Sequence, residues 1–218
     1  MLFAHWAVPV GALRPAVPPE LPIDTFDGRA WIAVAPFEVT GLRLRGTPAL
    51  PGLARFAETN VRTYTTLDGR PGVHFLSLDA ASRAAVAAAR RFYGLPYFLA
   101  RMTIERSGDT IAYATRRVGG DAALRVRYRP AGPAAEPRPG SLEHFLVERY
   151  SLYALDARGR VRRTDIRHRP WPLQPAAAEI ELNTMTAPDG IALPDEPPLL
   201  HYAARQDVLV GPPRRLRR

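Results

Sequence analysis

The chain has 218 residues, of which 46% are hydrophobic, enough to bury the core of one domain or two small ones. It has no cysteine, which excludes disulfides, thiolate nucleophiles and Cys-ligated metal sites, and no lysine, which excludes a lysine Schiff base. The formal net charge is +9, and arginine supplies all of the positive charge in this count. No apolar run approaches the ~18 residues that a membrane span needs, so we expect a cytoplasmic protein without a membrane partner.

The first part of the chain predicts short strands separated by proline and glycine. A strand is predicted for "LFAHWAV", one helical turn ended by prolines for "VGALRPAVPPEL", and a turn followed by a strand for "FDGRAWIAVAPFEV". A loop is predicted for "LRGTPALPGLARF". The strands "AETNVRTYTT" and "VHFLSL" are joined by the turn sequence "LDGRPG", which indicates an antiparallel hairpin.

One long helix is predicted over about residues 79–93, in "DAASRAAVAAARRFYG", with Asp79 as N-cap and Gly94 as C-cap. Three strands follow in "FLARMTIER", "TIAYATRRV" and "ALRVRYRP", with links of hairpin length. A short helix and a strand are predicted in "SLEHFLVERYSLYALD", and further strands in "VRRTDIRH", "AAAEIELN" and "LLHYAARQDVLV". This order predicts an α+β, mostly β fold in which a curved or closed antiparallel sheet carries one main helix.

Polar side chains share one face of the strand predicted at "FAETNVRTYTT". Because strand side chains alternate between faces, Glu58, Asn60, Arg62 and Tyr64 form one row. Glu58 and Arg62 lie about 13 Å apart along a strand, so each needs a partner elsewhere. The row either faces solvent or lines a polar pocket. In a pocket, a buried charge would require an oppositely charged or hydrogen-bonding partner. Candidate partners in "HFLVERY" are Glu148, Arg149 and Tyr150.

Other motifs that carry chemistry are missing from the sequence. The histidines show no helical i, i+4 spacing, and neither a GxSxG nucleophile motif nor a glycine-rich phosphate loop is found, so we predict no metal and no cofactor. The end of the chain, "PPRRLRR", predicts an Arg-rich disordered tail over residues 212–218. Nucleic-acid binding through the basic surface is the third functional hypothesis, and the interleaving of arginines with acids makes it a weak one.

Several separate segments resemble the YqjF-like family of uncharacterised bacterial proteins, over about residues 2–210. They include "FAHWAVPVGALRPAVPPELPIDTFDGRAWIAVAPFEV", "ETNVRTYT", "PGVHFLSLDAASRAAVAAARRFYGLPYFLARM", "LEHFLVERYSLY" and "HRPWPLQPA". That family is similar to the acetoacetate decarboxylase superfamily. The resemblance implies a single domain over residues 1–211, a cone-shaped β-barrel with a central pocket, and a homo-oligomer that is a dimer or larger.

The resemblance also bears on chemistry. The decarboxylase forms a Schiff base through a lysine that follows a helix and a proline, and the matching segment here is "RRFYGLPYFLAR". Tyr97 and Phe98 follow Pro96, so the essential amine is missing, while Glu58 falls where a pocket glutamate is expected. The resemblance therefore implies a pocket without Schiff-base chemistry, and it favours the pocket-facing interpretation of the polar row.

Two functional hypotheses come first. In the first, the protein binds a small anionic or oxo-acid-like metabolite, with Arg62 holding a carboxylate or acting instead as a structural strut. In the second, it is a lysine-independent lyase, hydratase or hydrolase in which Glu58 is the general acid/base, Tyr97 or Tyr64 polarises a carbonyl and Arg62 positions the substrate. The predicted ligand-binding residues are Asn60, Arg62, Tyr64, Phe98, Glu148 and Tyr150, and the predicted catalytic residues are Glu58 and Tyr97.

Overall fold

β-Strands form the framework of the molecule, which a computed structural model describes over residues 1–42, 55–156 and 158–216. The predicted loop "LRGTPALPGLARF" lies largely outside the described residues. The strands are β1 (Leu2–Val8), β2 (Ala30–Thr40), β3 (Arg55–Leu67), β4 (Arg70–Ala80), β5 (Tyr97–Ser107), β6 (Thr110–Arg117), β7 (Ala123–Pro130), β8 (Ser151–Leu155), β9 (Val161–Arg167), β10 (Gln174–Asn183), β11 (Leu199–Tyr202), β12 (Leu209–Val210) and β13 (Arg214–Arg215). The α-helices are α1 (Val10–Leu13), α2 (Arg83–Tyr93) and α3 (Leu142–Val147), with 3-10 turns at Arg14–Ala16 and Ala187–Asp189.

The strands pair in the order β12-β9-β8-β4-β3-β2-β1-β11-β10-β7-β6-β5, and β5 pairs again with β4. The pairings from β4 round to β5 therefore return to β4. The predicted mostly β fold with few helices is confirmed. Two pairings differ from the predicted antiparallel sheet, because β4 runs parallel to both β5 and β8. Parallel neighbours need a crossover connection, and α2 supplies it between β4 and β5.

The helix α2 begins later than the sequence predicts. Ser82 is its N-cap, and the Ser82 side chain accepts a hydrogen bond of 3.2 Å from the Ala85 backbone amide. The prediction of Asp79 as N-cap is wrong, since Asp79 belongs to β4 and its carboxylate binds another strand. The predicted C-cap is confirmed, because Gly94 adopts the left-handed conformation with φ of 67° that ends helices readily.

Apolar clusters lie against both faces of the strands β1 to β4. Because side chains alternate along a strand, each strand contributes to both clusters. Polar side chains in the middle of β3 are consequently enclosed, whichever face they occupy. The larger cluster includes Leu2, Trp6, Ile32, Val34, Val61, Ile111, Tyr113 and Val126. The second, where α3 and residues 171–173 cover the sheet, includes Phe3, Tyr64, Leu78, Leu146, Val147, Trp171 and Leu173.

A buried ion pair ties β6 to β4 beside the point where β5 joins. Arg117 Nη2 lies 2.7 Å from Asp79 Oδ1, and its Nε lies 3.2 and 3.1 Å from the two carboxylate oxygens. The Asp79 side chain has no exposed surface, and that of Arg117 is 9% exposed. The Phe98 ring centre is 3.8 Å from Arg117 Cζ, so the guanidinium is both paired and stacked.

Replacing Asp79 by asparagine is expected to lower the free energy of unfolding by about 3 kcal/mol, because the buried Arg117 would lose its counter-ion while the shape of the site is kept. Urea unfolding measures the change. The matched control is Glu38→Gln, since the partners of Glu38, Arg55 and Arg106, are exposed; its loss should stay below about 1 kcal/mol. Equal effects of the two substitutions would contradict a special role for the buried pair.

The end of the chain contacts β9. Within the segment 212–218, Arg214 and Arg215 pair with Arg163 and Arg162. The division into a domain over residues 1–211 and a disordered tail remains a prediction. None of the helices in the described part of the chain combines the length and the hydropathy that a membrane crossing requires.

Candidate ligand-binding site

The polar row of β3 is buried. Glu58, Asn60, Arg62 and Tyr64 are 4%, 3%, 9% and 0% exposed, respectively. The row lies on the face of β3 opposite to Val61 and the larger apolar cluster, and Tyr64 belongs to the second cluster. The burial of all four side chains excludes the interpretation in which this row of β3 faces solvent.

Arg62 is a buried cation without a carboxylate partner among the described residues. Its Nε has no hydrogen-bond partner there, and its Cζ lies 5.2 Å from the centre of the Phe3 ring. The other buried arginines in the described part of the chain are paired: Arg117 with Asp79, and Arg149 with Asp24 at 2.6 Å. A buried guanidinium without a counter-ion is costly. An anion bound at Arg62 would therefore compensate a charge that no carboxylate in the described part of the chain compensates.

A row across the sheet connects Arg62 with His5. Arg62 of β3 is opposite Ala33 of β2, and Ala33 is opposite His5 of β1. Neighbouring strands lie about 4.8 Å apart, so Arg62 and His5 are two strands apart with only the small Ala33 side chain between them in this row. Both ring nitrogens of His5 are buried without a hydrogen-bond partner among the described residues, as is Oδ1 of Asn60. Several unpartnered polar atoms thus surround the same part of the sheet.

Burial lowers the pKa of His5 well below its usual value, and the nearby charges of Arg62 and His201 lower it further. The imidazole is therefore neutral at pH 7, when one ring nitrogen is a donor and the other an acceptor. His201 lies in the same region, with its ring centre 6.4 Å from that of His5. Phe3 stacks on His5 at 5.9 Å and meets Trp171 edge-on at 5.1 Å, so aromatic rings border this polar group.

A cavity of about 160 Å³ opens beside this group. Its lining includes His5, Trp31, Pro194, Glu196 and Pro197, but neither Arg62 nor Asn60. The Trp31 Nε1 is buried without a hydrogen-bond partner in the described chain. The cavity thus reaches two side chains whose polar atoms are unpartnered.

Glu58 and Tyr97 meet at the far end of the polar row. The Tyr97 hydroxyl donates a hydrogen bond of 2.9 Å to Glu58 Oε2. Burial raises the pKa of Glu58 to about 8, against a smaller lowering by the Tyr97 hydrogen bond. Burial and the neighbouring Glu58 raise the pKa of Tyr97 well above its usual value. At neutral pH both groups are protonated, so this pair can donate protons.

Three other predicted ligand-binding residues lie apart from the polar row. Phe98 follows Tyr97 in β5 and points to the opposite face, where it stacks on Arg117. The Glu148 carboxylate accepts hydrogen bonds from the Trp171 backbone amide and from the Tyr150 hydroxyl. Tyr150 is 43% exposed and stacks on His168 at 4.5 Å between ring centres. These contacts fix the segment that covers the sheet.

Phe3, His5 and His201 are not among the site residues predicted from the sequence. The alternation in "LFAHWAV" puts Phe3 and His5 on one face of β1, but only the pairing of β1 with β2 and β11 brings them beside the polar row. A buried histidine in an otherwise apolar strand was the available signal.

Comparison with known proteins gives a family match and a fold match. The family model DUF2071, described as an uncharacterized conserved protein, matches residues 1–207. The uncharacterized protein YqjF of Bacillus subtilis (strain 168) is 48% identical over 216 residues, which cover 99% of this chain and 89% of the relative.

Solved structures with a similar fold include acetoacetate decarboxylase from Legionella pneumophila, with a TM-score of 0.61 and 14% identity over 99% of this chain and 84% of that one. An acetoacetate decarboxylase-like enzyme from Sphingomonas wittichii RW1 has a TM-score of 0.65 and 16% identity over 99% of this chain and 89% of that one. The enduracididine biosynthesis enzyme MppR, complexed with pyruvate, has a TM-score of 0.61 and 13% identity over 97% and 84%. With identities this low, the likeness concerns the fold alone.

Proposed function

Because the chain belongs to the DUF2071 family of uncharacterized conserved proteins and shares the fold of acetoacetate decarboxylase-like proteins, we propose that it binds a small carboxylate-bearing metabolite at Arg62 without Schiff-base chemistry. The observation that carries the proposal is the buried Arg62 guanidinium, which meets no carboxylate in the described part of the chain. The absence of any lysine from the sequence supports the second half of the proposal.

The chemistry of the surroundings favours a carboxylate over other ligands. A guanidinium binds a carboxylate through two parallel hydrogen bonds, which satisfies both the charge and the unpartnered Nε. A second oxygen of the ligand, such as an α-oxo group, has the neutral His5 ring and the Asn60 amide within the same polar group. Phe3 and Trp171 supply apolar walls. A fold neighbour complexed with pyruvate, an oxo acid, supports this ligand class.

The proposal includes the finer points of the fold. The strand pairings that return to β4 support a cone-shaped barrel, with the ligand between the β1–β4 sheet and its cover of α3 and residues 171–173. A homo-oligomer, the single domain over residues 1–211 and a cytoplasmic location belong to the same proposal.

Titration with pyruvate as the probe tests the proposal. Pyruvate at one hundred times its Kd is expected to stabilise the parent protein by about 2.7 kcal/mol, seen as a higher thermal midpoint. The thermal midpoint of Arg62→Met should not rise when pyruvate is added. The neutral analogue pyruvamide should not raise the thermal midpoint of either protein. The control Arg55→Gln, at an exposed site away from the row, should respond like the parent. An equal rise for Arg62→Met would contradict the proposal.

A second candidate function rests on the Glu58–Tyr97 pair. A carboxyl group that is protonated at neutral pH and hydrogen-bonded to a phenol is suited to general acid catalysis on a bound carbonyl compound. Product analysis with the oxo acids that bind distinguishes the candidates: if the protein is an enzyme, Glu58→Gln would still bind its substrate but lose the turnover of the parent. If no oxo acid that binds is turned over by the parent, binding alone is the function.

A further inference from the structure

A cavity of about 200 Å³ on the outer side of β5, β6 and β7 is lined by three arginines, and we propose that it binds a small phosphorylated anion. Its lining shares no residue with the group around Arg62. Arg101, Arg116 and Arg125 stand around it, and all three are exposed. The site is independent of the carboxylate site proposed above.

The strand register brings the arginines together. Arg101 of β5 is directly opposite Arg116 of β6, and Arg125 of β7 is opposite Ala114, the next position on the same face of β6. Side chains directly opposite in an antiparallel pair have Cβ atoms about 5 Å apart, and like charges in such pairs are destabilising. Among the described residues, neither Arg101 nor Arg116 has a carboxylate within ion-pair distance. An anion between the two guanidinium groups removes their repulsion.

Small residues create the space between the arginines. The lining between them includes the small side chains of Ala114 and Ala123, the hydroxyl-bearing Thr103 and the apolar Leu182. The volume of about 200 Å³ equals that of about seven water molecules in the liquid, so it accommodates a phosphate group and several further atoms.

The charges around the cavity favour a multiply charged anion. Of the three arginines, Arg125 alone has a carboxylate near it, with its Nη1 3.4 Å from Glu181 Oε2, and Glu181 also lies 3.9 Å from Arg127. At least two guanidinium charges therefore stay uncompensated, which suits a phosphate monoester or pyrophosphate better than a monocarboxylate. The planar guanidinium fork binds phosphate oxygens in pairs.

Calorimetric titration with pyrophosphate at low ionic strength tests the proposal. Because the arginines are exposed, each of Arg101→Gln and Arg116→Gln is expected to weaken binding about fivefold. Arg129→Gln is the matched control: Arg129 lies on β7, exposed, outside the cavity lining, and its loss should leave affinity unchanged. Arg62→Met should also leave it unchanged, which separates this site from the carboxylate site.

Stability without ligand gives a second readout. Arg101→Gln and Arg116→Gln should unfold at the same temperature as the parent or higher, since each removes one charge from a repelling pair. The proposal is overturned if both variants bind pyrophosphate as tightly as the parent. It is also overturned if pyrophosphate fails to bind while a single-stranded oligonucleotide binds, and if Arg129→Gln weakens the binding of the oligonucleotide as much as the other two substitutions do. The charged face would then bind a nucleic acid.

Discussion

Arg62→Met is expected to raise the free energy of unfolding of the ligand-free protein by about 2 kcal/mol. A buried guanidinium costs desolvation energy, and a contact with the Phe3 ring offsets less of that energy than a carboxylate would. Methionine fills much of the same space with apolar atoms. The Phe3 ring, 5.2 Å from Cζ, can pack against the thioether as it does against the guanidinium. Stability and binding are thus opposed at this position: the substitution that abolishes carboxylate binding stabilises the empty protein.

Arg149→Met is the control that makes this result specific. Arg149 is also buried and also lies 5.2 Å from an aromatic ring centre, that of Tyr64, but it is paired with Asp24 at 2.6 Å. Its removal is expected to lower the free energy of unfolding by about 3 kcal/mol, because Asp24 loses its partner. Urea unfolding followed by tryptophan fluorescence therefore separates the two variants by about 5 kcal/mol. If Arg62→Met is destabilised as much as Arg149→Met, Arg62 is a structural strut and its anion site is refuted.

Glu58→Gln should change how stability depends on pH. The pKa of Glu58 is about 8 in the folded protein and near 4.5 in the unfolded chain, so between these values folding takes up a proton. The stability that the neutral carboxyl group provides is complete below pH 4.5 and is lost as the pH rises to about 8. The loss in the parent is on the order of 4 kcal/mol. Glutamine stays neutral and can accept the Tyr97 hydrogen bond, so the variant does not lose this stability as the pH rises.

The difference between parent and variant isolates Glu58 from other titrating groups. Burial lowers the pKa of His5, His74 and His201, which makes stability rise with pH up to about 6.5 in both proteins. That contribution has the opposite sign and cancels when the two profiles are subtracted. The difference should be near zero at pH 4.5 and should favour Glu58→Gln increasingly up to pH 8. A constant difference over this range would show that Glu58 is ionised throughout.

The strands and hairpins could be predicted from the sequence because alternation and turn chemistry are local. "LDGRPG" between two alternating runs predicts the β3–β4 hairpin, and the structure confirms it. The start of α2 could not be predicted so well, since Asp79 and Ser82 are both good N-caps in sequence terms. The choice is made by Arg117, which binds Asp79 from a strand far along the chain.

In the candidate site, too, the features that depend on local sequence could be predicted, and those that depend on remote segments could not. Alternation predicts that Glu58, Asn60, Arg62 and Tyr64 share a face, but burial of that face depends on α3 and residues 171–173, which are remote in sequence. The position of Tyr97 beside Glu58 follows from the parallel pairing of β4 with β5. The role of Glu148 could not be predicted, because its partner is the backbone of Trp171 in a loop with no periodic pattern.

A crystal structure of the protein soaked with pyruvate tests the central claim most directly. We expect a carboxylate whose two oxygens lie within hydrogen-bond distance of the Arg62 guanidinium, one of them on Nε, with the ligand next to His5. A guanidinium of Arg62 surrounded by protein oxygens or ordered water in that crystal, with pyruvate bound elsewhere or not at all, would contradict carboxylate binding at Arg62.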